Sequence, residues 1–240
     1  GWQSTHTAIE IVGKDMPFLV DSVVAALNRL NLPVLLLVHP IIHIVRDEAG
    51  QIDTILEKGA AVEGMQAESV LHVEITQQPD GPRHGEIEER LLEVLANVQA
   101  SVEHWPQMIA ELDQQIAELK ASPPPVEEED FAEGLDFLQW LRDNHFTFLG
   151  HREYTFEQRD GQVFAEIVED KNLGILREVT RESRARHKDP LPDHFAAYLE
   201  RREMFIISKA WTRSDVHRSV YMDYIGVRRF NEKGDEIGRA

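Results

Sequence analysis

The chain has 240 residues, 42% hydrophobic and 28% charged, a composition typical of a folded globular protein and not of a disordered one. Its 25 basic and 43 acidic residues give a net charge of −18, and such a surface disfavours nucleic acid and anionic membranes as partners. The absence of cysteine excludes disulfides, thiol catalysis and thiolate metal sites, and fits a cytoplasmic protein.

Alternation and helical spacing predict the order β-α-β-β-(β)-α in the first half of the chain. A strand at His6 to Val12 precedes a turn at 13–17 and an amphipathic helix. Pro17 suits the first helical turn, and the Asp15 carboxylate could cap it. This order predicts a ferredoxin-like split βαβ unit, with an antiparallel sheet covered by helices on one face. The remaining predicted strands are Val34–Val38, Ile41–Val45, Gln51–Leu56 and Val70–Ile75, and a second helix is expected from near Glu86.

A heptad seam runs from Leu91 to Leu119. Its apolar residues alternate spacings of four and three, as in helices that pair. The seam could pack within its own domain or mediate self-association. Pro106 interrupts it, so either one helix kinks there or a second helix begins with Pro106 in its first turn. The members are Leu91, Leu95, Val98, Val102, Trp105, Ile109, Leu112, Ile116 and Leu119.

A run of prolines predicts a domain boundary. Ser122-Pro123-Pro124-Pro125 cannot continue a helix, because each proline lacks an amide hydrogen and restricts the preceding residue. The acidic residues 127–130 suit the start of the next helix. We therefore predict an α+β protein with a first domain at 1–121, a Pro-rich linker at 122–130 and a second domain at 131–240, cut short at its C-terminal end.

The second domain is expected to open with a helix that carries Phe131, Leu135 and Leu138 on one face. The dipeptide Asp160-Gly161 predicts a hairpin turn. The charged stretch from Arg181 to Asp189 is predicted to be a loop. Strands are predicted at Phe146–Leu149, Tyr154–Glu157, Val163–Val168, Met204–Ala210 and Tyr221–Phe230.

No motif for nucleotide binding or nucleophilic catalysis occurs. Among the 14 glycines there is no Gly-x-Gly-x-x-Gly, no Gly-x-x-x-x-Gly-Lys and no Gly-x-Ser-x-Gly, so we expect no cofactor and no catalytic residue in this chain. His39 and His43 could suggest a metal site, but on one strand they would lie about 13 Å apart, so we expect no metal. An independent hydrolase using Asp215, His217 and Asp223 is the competing enzymatic hypothesis.

The strongest local signal is a strand–helix turn between Asp15 and Asp21. A carboxylate beside free helix amides can bind a small zwitterion. The segment resembles the strand–helix turn of ACT domains, which are βαββαβ modules that bind amino acids and regulate metabolic enzymes. Those domains usually carry glycine after the proline, whereas this chain has Phe18, so a purely structural turn is the alternative. The candidate effector-binding residues are Asp15, Met16, Pro17, Phe18, Leu19 and Asp21.

Four blocks in order extend the resemblance to nearly the whole chain. They are Asp15–Val23, Phe146–Tyr154, Leu173–Arg177 and Val216–Phe230. Together they resemble the amino-terminal region of the large bacterial NAD-specific glutamate dehydrogenases. The chain departs from the expected pattern at two positions, His151 in place of tyrosine and Asp215 in place of threonine or serine.

This resemblance implies two ACT-like domains in a non-catalytic regulatory and assembly region. The parent enzyme is expected to oxidise L-glutamate to 2-oxoglutarate and ammonium with NAD, in a dehydrogenase domain that lies far downstream. The chain itself is then expected to bind no NAD and to turn over no glutamate. Its expected partners are the downstream domains, a second copy through the seam from Leu91 to Leu119, and an amino acid effector at the turn.

Overall fold

The computed structural model describes residues 4–57, 59–180, 189–192 and 203–240. Within these residues the chain is mixed α+β and forms two antiparallel sheets of five strands each, which confirms the predicted fold class. It divides into two compact units. The first unit comprises Gly1–Gln99 and Ser214–Ser219, and the second comprises Ala100–Arg213 and Val220–Ala240.

These units differ from the predicted domains at 1–121 and 131–240. The division falls between Gln99 and Ala100, inside a helix and well before the prolines. The physical reason is that the following helix supplies three apolar residues to the core of the second unit. The core of that unit contains Leu112, Ile116, Leu119, Leu138, Leu141, Met204 and Val227.

The first unit contains the predicted strands and helices. Its second helix begins at Pro82, four residues before the predicted start at Glu86. The elements are β1 (His6–Lys14), α1 (Leu19–Arg29), β2 (Val34–Val38), β3 (Ile41–Arg46), β4 (Ile52–Leu56), β5 (Gln66–Thr76) and α2 (Pro82–Glu103), of which α2 continues into the second unit.

The first sheet has the predicted split βαβ topology. Strand β5 pairs antiparallel with β1 along one side, with Ile9 opposite Val73. On its other side β5 pairs antiparallel with β3 and then with β2. Strands β1 and β2 are therefore parallel to each other, are separated by β5, and are connected by α1. Strand β4 extends the sheet beyond β3.

The core of the first unit follows from alternation along β5. Leu71, Val73 and Ile75 are fully buried, while the residues between them are partly exposed. The helices contribute apolar stripes to the same core, so they cover one face of the sheet. Their buried residues are Leu19, Val23, Ala26 and Leu27 in α1 and Ile87, Leu91, Val94 and Val98 in α2.

In the described residues, the second unit contains helices α3 and α4 and an antiparallel sheet of order β7-β6-β10-β9-β8. No helix lies between consecutive strands within the described residues. The stretches 181–188 and 193–202, between β7 and β8, lie outside them. The elements are α3 (Trp105–Ala121), α4 (Glu128–Trp140), a π-helical turn (Leu141–His145), β6 (Gly150–Arg159), β7 (Gln162–Gly174), β8 (Phe205–Arg213), β9 (Tyr221–Phe230) and β10 (Glu236–Arg239).

Local predictions for the second unit were confirmed at the hairpin and wrong at one strand. Asp160 and Gly161 both have positive φ, 52° and 78°, as the tight turn between β6 and β7 requires. Residues 146–149 are not a strand, because β6 begins only at Gly150. Phe146 and Phe148 pack against the apolar core instead. The predicted loop at 181–189 lies outside the described residues except for Asp189.

The seam is divided between α2 and α3. Pro106 lies in the first turn of α3, which confirms the second of the two predicted arrangements. Leu112, Ile116 and Leu119 belong to the core of the second unit, so this part of the seam packs within its own chain. Among the nine seam residues, Trp105 is the one that is exposed.

A buried ion triad lies in the second sheet. The Glu236 side chain is fully buried, and it accepts hydrogen bonds from Arg228 at 2.7 Å and from Arg239 at 2.6 Å. The guanidinium groups also stack on rings, Arg228 on Phe230 at 5.1 Å and Arg239 on Phe156 at 5.2 Å. A buried carboxylate requires such complete pairing.

Candidate functional site

The candidate effector turn connects β1 to α1 in the first unit. Strand β1 continues to Lys14, so the turn begins at Asp15. The Asp15 amide donates to the Ala67 carbonyl at 2.9 Å, which ties the start of the turn to β5. Pro17 lies in the turn, one residue before the N-cap. The expectation that Pro17 occupies the first turn of the helix was therefore wrong.

Phe18 is the N-cap of α1 and adopts a left-handed conformation, with φ of 71°. Glycine adopts this conformation without strain, whereas a bulky residue does so rarely. The Phe18 carbonyl accepts hydrogen bonds from Ser22, at 3.0 Å from its amide and 2.6 Å from its hydroxyl. The backbone at Phe18 thus has a conformation that glycine favours, and the hydrogen bonds from Ser22 hold it.

The six predicted effector residues do not converge on one spot. The Asp15 carboxylate lies 4.0 Å from His39 Nε2, whereas the Asp21 carboxylate lies 3.5 Å from His217 Nδ1. Leu19 is buried in the core. Met16 and Phe18 are half-buried, and Pro17 is exposed.

A segment from far along the chain lies on this turn. The His217 amide donates to the Ser22 hydroxyl at 3.0 Å, and the His217 ring lies 4.9 Å from the Phe18 ring. The neighbouring Asp215 carboxylate pairs with Arg29 and with Arg90. Sequence reasoning missed these contacts, because no local pattern signals a pairing between residues 186 positions apart.

The catalytic hypothesis for Asp215, His217 and Asp223 was wrong about their arrangement. Asp215 is neutralised by the two arginines, and Asp223 lies 2.6 Å from Lys209 on the second sheet. Neither carboxylate orients His217, whose nearest acidic partner is Asp21. No base with its orienting group is formed from these three residues.

Comparison with known proteins identifies the family. Residues 1–91 match the family described as glutamate dehydrogenase, ACT1 domain. The NAD-specific glutamate dehydrogenase of Halomonas elongata is 33% identical over 239 residues, which cover 99% of this chain and 15% of that protein. The chain belongs to the NAD-specific glutamate dehydrogenase family.

Two further relatives carry the same name. The protein from Pseudomonas aeruginosa is 33% identical over 238 residues, covering 99% of this chain and 15% of that protein. The protein from Mycobacterium tuberculosis is 27% identical over 174 residues, covering 71% of this chain and 10% of that protein. The resemblance drawn from the four sequence blocks is confirmed, and residues 1–91 are an ACT1 domain, which is a regulatory type of domain. The chain spans about 15% of the length of the first two relatives.

Outside the ACT1 domain, a second cluster of ionisable groups lies in the second unit. Ligand atoms of Glu111, His151 and Glu153 lie within 4.8 Å of one another, a spacing that could hold a metal. The Lys171 ammonium, however, binds both Glu111 oxygens at 2.7 and 2.8 Å, and Arg229 lies 3.1 Å from Glu153. Because Lys171 and Arg229 already neutralise the carboxylates of Glu111 and Glu153, we interpret the cluster as a structural ion network. His39 and His43 are not part of it.

The environment of Glu153 lowers the pKa of its carboxyl group below the ordinary value of 4.5. His151 contributes most, with Nε2 at 3.7 Å from Glu153 Oε1. Burial acts in the opposite direction, and Arg229 adds to the lowering. Since the folded-state pKa is lowered, the resulting stabilisation is present above the unfolded value and is lost as the pH falls through the folded value.

We expect Glu153→Gln to lower the free energy of unfolding by about 1–2 kcal/mol at neutral pH. The difference from the wild type should shrink below about pH 4.5, because protonation of Glu153 then removes the same charge. Urea unfolding at neutral and acidic pH measures both values. Glu166→Gln, an exposed carboxylate paired with Arg159, is the matched control. A difference that stays constant with pH would contradict this interpretation.

Membrane insertion through a helix finds no support in the described part of the chain. No helix there is both long enough and apolar enough to cross a bilayer.

Proposed function

We propose that this chain is a non-catalytic regulatory region of a longer NAD-specific glutamate dehydrogenase. The parent would oxidise L-glutamate with NAD and water to 2-oxoglutarate, ammonium and NADH. The observation that carries the proposal is the 33% identity over 99% of the chain to proteins of that name, of which the chain spans 15%. The lack of a dinucleotide fingerprint in the sequence supports a non-catalytic role.

Titration of the chain with NAD tests this proposal. We expect no change in intrinsic tryptophan fluorescence with NAD or NADH at millimolar concentrations. Saturable binding of either nucleotide would contradict a non-catalytic assignment, because it would place a cofactor site within these residues. The four tryptophans supply the signal.

A second candidate function is an amino acid sensor at the Asp15–Asp21 turn. The left-handed backbone at Phe18 and the ACT1 match favour it. The amides of the first helical turn of α1 would donate hydrogen bonds to the ligand carboxylate, and the Asp21 carboxylate would accept hydrogen bonds from the ligand amine. Calorimetry with each of the twenty protein amino acids, on the wild type and on variants of Asp215, tests the sensor: no heat with any of them would reject it.

We also propose that the region assembles with a second copy of itself. The other seam residues are buried or half-buried, so Trp105, which is 40% exposed, is the seam residue available to a second copy. We expect the sedimentation coefficient to rise with protein concentration, and Trp105→Ala to reduce that rise. Trp140→Ala, which removes another exposed tryptophan, is the control. A monomer at every concentration would reject assembly by this chain alone.

A further inference from the structure

Residues Ser214–Ser219 connect β8 to β9 in sequence, yet they belong to the first unit. The strands on either side of this segment form part of the second sheet. The chain therefore leaves the second unit for six residues, contacts α1 and the turn before it, and returns. A tight hairpin between β8 and β9 would need only about two connecting residues.

Charge-assisted hydrogen bonds hold one side of the segment. The Asp215 carboxylate accepts from Arg29 of α1 and from Arg90 of α2, so it joins the two helices of the first unit. Arg29 also donates to the Ser219 hydroxyl at 3.0 Å and to the Ser214 carbonyl. Hydrogen bonds between charged partners are the strong ones, so Asp215 is the main polar anchor.

The tip of the segment covers the strand–helix turn. Val216 is 1% exposed and serves as an apolar anchor. His217 adopts a left-handed conformation with φ of 66° and faces Phe18, which is left-handed as well. Two bulky residues in this conformation are strained, and their contact holds both in place.

His217 contacts the same groups that a small zwitterion would bind. Its amide donates a hydrogen bond to the Ser22 hydroxyl. Its Nδ1 atom is buried without a hydrogen bond and lies 3.5 Å from the Asp21 carboxylate, where the amine of an amino acid would lie. Its ring covers Phe18.

We infer that Ser214–Ser219 is a built-in plug of the ACT1 turn, so that a free amino acid binds there only when the plug has left. This inference rests on the proposed sensor function of the turn. It adds a means of control, because any event that loosens the connection between β8 and β9 would open the site. Binding and plug release are then coupled reciprocally.

The test combines hydrogen exchange with calorimetry on the 240-residue chain. Asp215→Ala removes the polar anchor, and the milder Asp215→Asn guards against misfolding. We expect exchange in residues 15–22 and 214–219 to rise together by about tenfold or more. Asp223→Ala, an exposed carboxylate paired with Lys209, should leave both segments unchanged.

Calorimetry then uses each of the twenty protein amino acids as the probe. We expect no heat with the wild type and saturable binding of at least one amino acid to an Asp215 variant. Unchanged exchange in both Asp215 variants would overturn the plug. If the wild type binds an amino acid as tightly as an Asp215 variant does, the segment does not exclude the ligand and the inference is overturned. If the Asp215 variants show faster exchange in both segments but bind no amino acid, both the plug and the sensor are rejected. The broader regulatory role is tested separately, by the NAD titration and by enzyme kinetics.

Discussion

Glu236→Gln is expected to lower the free energy of unfolding of the second unit by about 3–5 kcal/mol. The substitution leaves the shape of the side chain but removes its charge. Arg228, with a side chain 1% exposed, and Arg239, at 7%, would then each lose the charge of a buried partner. Breaking a buried ion pair is far more costly than breaking a surface ion pair.

Urea unfolding of the chain measures this effect. Glu157→Gln is the matched control, because Glu157 pairs with Arg159 at an exposed site, where solvent screening leaves an ion pair with little effect on stability. A loss below about 1 kcal/mol for Glu236→Gln would show that the triad does not hold the second sheet together.

Gly174→Ala is expected to lower the free energy of unfolding by about 3 kcal/mol or more. Gly174 has φ of 60°, and a Cβ there would collide with the Leu149 carbonyl oxygen. That oxygen cannot move freely, since it accepts a hydrogen bond from the Ile175 amide at 2.8 Å. The Gly174 amide is also fixed, because it donates to His104 at 2.9 Å.

Gly161→Ala separates the two causes. Gly161 has φ of 78° but no atom within 4 Å of the added Cβ, so it reports the cost of the left-handed backbone alone, about 1–2 kcal/mol. Urea unfolding of both variants gives the cost of the collision as their difference. If both variants lose the same free energy of unfolding, the Leu149 carbonyl moves aside and Gly174 is needed only for its backbone angle.

Alternation and helical spacing predicted the first unit well. The strands and the presence of helix α1 follow from local periodicity, because one face of each element is buried, although the helix begins at Leu19 and not at Pro17. The left-handed backbone at Phe18 was not predicted, because phenylalanine rarely adopts a positive φ.

Long-range contacts could not be predicted in this way. The return of Ser214–Ser219 to the first unit depends on pairing between residues with no local signal. Arg228, Glu236 and Arg239 are residue types that are normally exposed, so their burial is visible only once the second sheet is assembled. The prolines at 123–125 marked the end of a helix correctly, but the core of the second unit already includes that helix.

The most direct test of a regulatory role is the rate of NAD reduction by L-glutamate in the full-length enzyme. Asp215→Ala is compared with Asp223→Ala over a range of glutamate concentrations, with and without other amino acids. We expect both variants to keep the maximal rate within about twofold, and only Asp215→Ala to change the response to added amino acids. A loss of about a hundredfold in maximal rate with the fold intact would place chemistry in this region. Identical responses of the two variants would contradict regulation through the ACT1 turn.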